Sequence, residues 1–310
     1  MIENPVTVVH RPISERQNSD ESMELLRADS WFYLRAKFWH AVRLAGTLIL
    51  ALLVPVIVFY KPGWGDLLGA LAGVWVLVGR TILIWLEDRS VRMAVTIQEQ
   101  FDTELFDLEW NSSLAGRRAA REDIHTAAEK VRWKRRLKKL RDWYADADSV
   151  AWPLNVLLCQ RSSAVWGRRS HYGYAMFVLS LGILWFMAGV VMAVVANATL
   201  GAYLITVFLP SQPAFLDTID LVRGHLQQSK AKAALEEKTT DLWNRGAEQA
   251  ASVTEQGCRE VQDQAYTLRR KGIQIPQLVY WFRRKQDEEA MRAAVAHLVK
   301  QQVGGSSGGV

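Results

Sequence analysis

Cysteine is nearly absent: Cys159 and Cys258 are the only two in 310 residues. That excludes a disulfide framework or a four-cysteine zinc site. Strand signals are lacking as well, which leaves a helical reading for the whole chain. The chain has no phosphate loop of the form GxxxxGK[ST], and no GxSxG, HExxH or paired CxxC. The common chemistries tied to those motifs therefore have no local signature. No nucleic-acid-binding module accompanies the basic residues, so nucleic acid is not expected as a partner. Residues 1–40 have no apolar core of the kind a cleavable signal peptide needs.

Charge is scarce over four stretches. Residues 41–86 hold two apolar runs joined by Lys61–Pro62–Gly63–Trp64–Gly65, and residues 174–222 hold another pair joined by Ala196–Asn197–Ala198–Thr199. A bilayer core about 30 Å thick needs roughly 20 apolar residues per helix, so the lipid bilayer is the first partner implied. Pro55 should kink the first run. The fourth meets Pro210, Ser211, Gln212 and Pro213 after about ten residues, so it spans only if the helix continues past them; otherwise it re-enters. Lys and Arg crowd the segments outside the hairpins, while the tips hold only Lys61 and Asp66. By the positive-inside rule both termini and the middle segment are expected on the cytoplasmic side.

The predicted fold is an all-α integral membrane protein with two helical hairpins flanking a helical cytosolic domain. Its expected parts are a cytosolic segment with an interfacial helix (1–40), the first hairpin (41–86) and a basic helical domain (87–173). The second hairpin (174–222), C-terminal helices (223–303) and a flexible Gly/Ser tail (304–310), native or a cloning scar, follow. Asn18 and Glu21 resemble a capping box. Two polar helices are expected over about 224–271 and 276–301, with Gly272 and Pro276 between them.

Residues 130–141 read KVRWKRRLKKLR, with eight Lys or Arg and no acid. Trp133, Leu137, Leu140 and Tyr144 recur at the spacing of one helix face. Lys134, Arg135, Lys138 and Lys139 then contact anionic lipid headgroups or an anionic ligand, or are simply solvated over a packed stripe. Arg80 stands roughly 10 Å inside the second span at 1.5 Å per residue; it either faces a pore, as ionisable residues at depth do, or snorkels. Cys159 with His171 is either a nucleophile and base or a buried thiol beside an unrelated imidazole. Asp102, Glu104, Asp107 and Glu109 spread over several helix faces. No catalytic residue, metal site or cofactor is assigned, and an enzyme is not expected.

Phe101–Asp102, Trp110–Asn111, Asp142–Trp143–Tyr144, Pro153–Leu154 and Cys159–Gln160–Arg161–Ser162 with Trp166 resemble the signature of the SMODS- and SLOG-associating four-transmembrane effectors. Ala145 and Ser163 depart from that signature, where Pro and Asn are expected. The resemblance covers about residues 30–222. It implies a pore-forming effector of bacterial anti-phage defence, an oligomer that conducts ions or permeabilises the membrane when a cyclic nucleotide reaches its cytosolic domain. On that basis Arg161 is expected to grip a phosphate while Trp143, Tyr144 and Trp166 stack a base. The alternatives are that these aromatics form the domain core, and that the whole protein is a non-conducting membrane-anchored signalling or scaffold module.

Overall fold

The computed structural model describes residues 11–249 and 252–306; within these, the side chains of Pro55, Phe59, Pro62, Arg135, Thr206 and Pro210 and those of 277–287 and 303–306 are outside the description. The described residues are helical, with no strand. Residues 1–10 and the last four of the Gly/Ser tail lie outside them.

Helix α1, Asp20–Tyr60, runs unbroken for 41 residues, roughly 60 Å at 1.5 Å per residue. Its cap is Ser19, whose side chain accepts from the Ser22 N–H. Asn18, expected in that role, instead binds Asp142 through both its amide and its carbonyl. No turn separates a surface helix from the span, and the helix assignment continues through Pro55. Helix α2, Gly65–Phe106, returns antiparallel and packs along α1. A π turn, Gly79–Leu83, interrupts it at Arg80. Trp75 lies over Gly46, where any larger residue would overlap the indole.

Helix α3, Leu154–Val195, is the third helix long and apolar enough to cross a membrane. The fourth arm, α4, is helical from 200 to 248 through a π turn at Leu204–Phe208 and on past Pro213. The helix continues past Pro210 and Pro213 without a re-entrant turn, yet among the described residues three helices, and not α4, are long and apolar enough to cross a membrane. Along α3, Gly189 receives Tyr203 and Val207, and Gly182 receives Thr218; Phe186 meets Phe215 edge-on at 6.2 Å. Leu48, Leu52, Leu71, Val74, Ile183, Val191, Ile205 and Leu216 are all more than 40% exposed. Such a continuous apolar surface is one that lipid, not water, should cover. The chain is a membrane protein.

The polar body is built from the extramembrane ends of these same helices. Leu26, Ile97, Phe101, Phe106, Leu157 and Leu158 form its core. In place of the single helix expected over 224–271, one helix ends at Glu248 and the next begins at Glu255. Val253 and Leu154 pack against Gly246 so closely that a methyl there would overlap both. Thr254 caps a new helix, α5, Glu255–Arg270. The break lets α5 fold back and bury Cys258, Val261, Gln262 and Ala265. Helix α6, Gln277–Ser306, packs on α3, burying Met291 and Val295.

A buried polar network holds α5 to α2. Arg269 Nη1 reaches Asp102 at 2.5 Å, and Arg259 Nη2 reaches Glu99 at 2.5 Å. Gln262 Nε2 donates to Glu99 at 2.8 Å and Asp102 at 3.0 Å, and the Tyr144 hydroxyl donates to Asp102 at 2.7 Å. Burial raises the Glu99 carboxyl, against the pull of its Arg259 hydrogen bond. Removing one partner from such a set strands a buried charge and costs on the order of 3–5 kcal/mol, so the network sets the register of α5 on α2.

Candidate functional site: a basic cavity above the hairpins

A cavity of about 550 Å³ opens in the polar body, within the usual span of small-molecule sites. Among the described residues, five basic side chains line it, Lys37, Arg136, Lys139, Lys232 and Arg269, against one acid, Asp29. Four large aromatics join them: Tyr33, Trp133, Trp143 and Trp166. They come from several parts of the fold. Asp29, Tyr33 and Lys37 recur every four residues along one face of α1. Trp133, Arg136 and Lys139 lie on or next to the short helix Lys134–Leu140. Trp166 and His171 project from α3, Lys232 from α4, and Arg269 from the end of α5.

The charge balance has physical consequences. Burial and the nearby Arg269 pull the Lys232 ammonium down to about 8. It has no hydrogen-bond or ion-pair partner among the described residues, and its stem lies over Gly167, where a side chain would displace it. An anion entering the cavity would relieve that cation directly. Arg136 Nε donates to the Ser30 hydroxyl at 2.6 Å, and Arg269 Nη2 to that of Ser163 at 3.2 Å. Trp143 and Trp166 stand 6.5 Å apart, tilted by 48°, and Trp133 is 61% exposed. Cations interleaved with indole faces can hold phosphates and stack planar rings.

A second cavity of about 530 Å³ lies between the hairpins, bounded by Arg43, Arg80, Glu87, Asp88, Asp217 and Asp220. Arg80 reaches Asp217 across it at 3.4 Å. Gly272 and Ile273 line both cavities. They belong to the strap 271–276 between α5 and α6, which is seated tightly. A methyl at Gly224 would collide with Ile273, and one at Gly272 would collide with the Leu268 carbonyl. A second link is the imidazole pair His171 and His225, whose Nδ1 atoms are 2.8 Å apart. Burial drives the first down to about 2 and the second to about 4, so both are neutral at pH 7. His225 in turn feels His40, whose Nδ1 lies 2.9 Å from Glu87 in the lower cavity.

The residues singled out from sequence are distributed unevenly. Trp143, Trp166 and Lys139 line the upper cavity, but Tyr144 and Arg161 do not. Tyr144 is in the core between Phe101 and Phe106. Arg161 Nε donates to Thr240 at 3.0 Å, with Glu236 at 3.7 Å. Lys134 and Lys138 are exposed beside the opening, and the Arg135 side chain lies outside the description. The expected stripe from Trp133 to Tyr144 is not one helix face: the helix ends at Leu140, and Asp142 turns the chain with φ +51°. Arg80 sits in the inter-hairpin cleft, paired.

Cys159 is buried in the core, its thiol pushed up by burial and the nearby carboxylates, while His171 pairs with His225; neither Cys159 nor the acidic group assembles a reaction centre. Glu104 pairs with Arg118 and Asp107 with Arg16. No three His, Cys, Asp or Glu among the described residues are placed to hold a metal. Asp29, Lys37, Lys232 and Arg269, scattered along the chain, had no local signal. Arg136 was within the basic run and was separable only by the direction it faces.

Residues 11–298 match the family described as the SMODS-associating 4TM effector domain. A Bacillus cereus (strain VD146) protein described as a probable CBASS effector molecule is 28% identical over 297 residues, covering 93% of this chain and 98% of that protein. No solved structure matches the chain. Two hairpins joined by a helical body, with the match extending over nearly the whole of it, lead to one conclusion: the chain belongs to the SMODS-associating 4TM effector family.

Proposed function

We propose that this protein is an anti-phage CBASS effector of the bacterial inner membrane, that a cyclic nucleotide made on infection binds in the basic cavity, and that binding opens the membrane through the hairpins. It is not an enzyme in this reading: the ligand is a signal, and Trp143 and Trp166 stack its bases while Lys232, Arg136 and Lys139 take its phosphates. Arg161 and Tyr144 support the fold instead. One observation carries the reading. The strap residues Gly272 and Ile273 form a wall of the ligand cavity and of the inter-hairpin cleft at once. A ligand that binds better with the strap displaced shifts the hairpins by that difference in affinity.

Lys134 and Lys138, exposed beside the opening, attract the anionic ligand or the headgroups below. Both termini face the cytoplasm, and several copies assemble to make the conducting path. Thiol labelling from the periplasmic side at cysteines placed at Lys61 and Asn197, but not at Ser112, checks the orientation. The function is tested with the full chain in dye-loaded liposomes of phosphatidylethanolamine and phosphatidylglycerol. Addition of cyclic dinucleotides should release dye, and should do so less when Lys232 is replaced by Gln. Binding without release would overturn the pore and favour the scaffold reading.

A further inference from the structure

Asp29 is 3% exposed and lines the basic cavity. Its Oδ1 is buried without a hydrogen bond, and no described residue donates to the carboxylate. A buried carboxylate left without donors is costly, and the helix could have placed a leucine there at no such cost. One turn along α1, the Tyr33 hydroxyl donates to Gln98 Oε1 at 3.0 Å. That fixes the amide of Gln98, which also lines the cavity and is 7% exposed, with its N–H₂ group still to be used. Its amide donates to no described residue. The wall of the cavity therefore presents one buried acceptor oxygen without a donor and, beyond Tyr33, an amide N–H₂ that donates to no described residue, in the same lining as Trp143 and Trp166.

We propose that Asp29 and Gln98 read guanine: Asp29 accepts from the adjacent N1–H and N2–H₂ groups of the base, and Gln98 donates to its O6. This rests on the reading that the cavity holds a cyclic nucleotide. Guanine is the base whose pairing edge offers two neighbouring donors followed by an acceptor. Adenine offers one donor beside the N1 acceptor, and uracil a single N–H between two carbonyls. Burial, with Asp102 behind it, holds the Asp29 carboxyl well above its usual range, while Arg269, Arg136 and Lys37 pull it down. Two N–H donors restore the hydrogen bonds that burial removed and stabilise the carboxylate among those cations.

The test is calorimetric titration of the full chain in detergent with three probes: cyclic diguanylate, cyclic GMP–AMP and cyclic diadenylate. Affinity should rise with guanine content, at least tenfold from the diadenylate to the best guanine ligand. Asp29→Asn should weaken the guanine ligands by roughly tenfold to a hundredfold and leave the diadenylate unchanged. Gln98→Leu should act in the same direction, and the parent's own base preference needs no variant at all. If the diadenylate binds the parent as well or better, or if Asp29→Asn weakens all three equally, the base reading is overturned while the cavity remains a cyclic-nucleotide site. If none of the three binds, both readings fall together.

Discussion

Arg80 Nη2 lies 3.4 Å from Asp217 Oδ1 and joins the second arm of one hairpin to the second arm of the other. Arg80 is otherwise well exposed and stands in the π turn Gly79–Leu83, a geometry often found at functional sites. An ion pair that bridges the two hairpins should hold them together in the resting protein.

Arg80→Leu and Asp217→Leu should therefore each cause dye release from liposomes without any nucleotide. The exchanged pair, Arg80→Asp with Asp217→Arg, should restore dependence on the ligand. If both single variants stay tight and respond to ligand like the parent, the pair is a bystander and the hairpins are held elsewhere.

Gly224 tests the strap. Ile273 packs on it with no room for a methyl group. Gly224→Val should lift Ile273 and favour the displaced strap, so that nucleotide affinity measured by titration rises and release sets in at lower nucleotide concentration. Loss of affinity would mean that the strap wall holds the ligand in place and does not pass its binding to the membrane.

Trp133 was expected from its spacing to be part of a buried stripe; instead it is 61% exposed at the cavity mouth. Trp133→Ala should change thermal stability by no more than about 0.5 kcal/mol, as for most surface positions. It should cost about 1–3 kcal/mol in nucleotide binding if a base stacks there. A large fall in melting temperature with normal binding would return Trp133 to the core.

The histidine pair gives a pH signature. His171 and His225, outside the spans, have folded-state values depressed to about 2 and about 4, so the unfolded chain takes up protons first as pH drops below about 6.5. The stability this lends is complete above that pH and is lost on acidification, at about 1.4 kcal/mol per pH unit for each residue. Asp29 and Glu99, raised by burial, act in the opposite sense, so the comparison is made against His225→Gln. Denaturation of that variant between pH 6.5 and 4 should show a slope shallower by about 1.4 kcal/mol per unit; an unchanged slope would mean His225 is protonated in the folded protein.

Much of this protein follows from local pattern. Apolar length and the absence of charge determined the hairpins, because a bilayer imposes its requirement on each span separately. Trp143 and Trp166 belonged to a recognisable run, and both line the cavity. Their neighbours in that run, Tyr144 and Arg161, face the other way, because a turn at Asp142 and the rotation of a helix separate residues one to five positions apart. Only the tertiary structure decided that Lys232 and Arg269 line one cavity with Arg136, or that Asp29 Oδ1 has no donor among the described residues. Those facts depend on how α1, α3 and α4 pack together and on α5 folding back after α4 ends at Glu248. Sequence spacing is blind to such distances, since packing between helices, and not position along any one of them, brings the charges together.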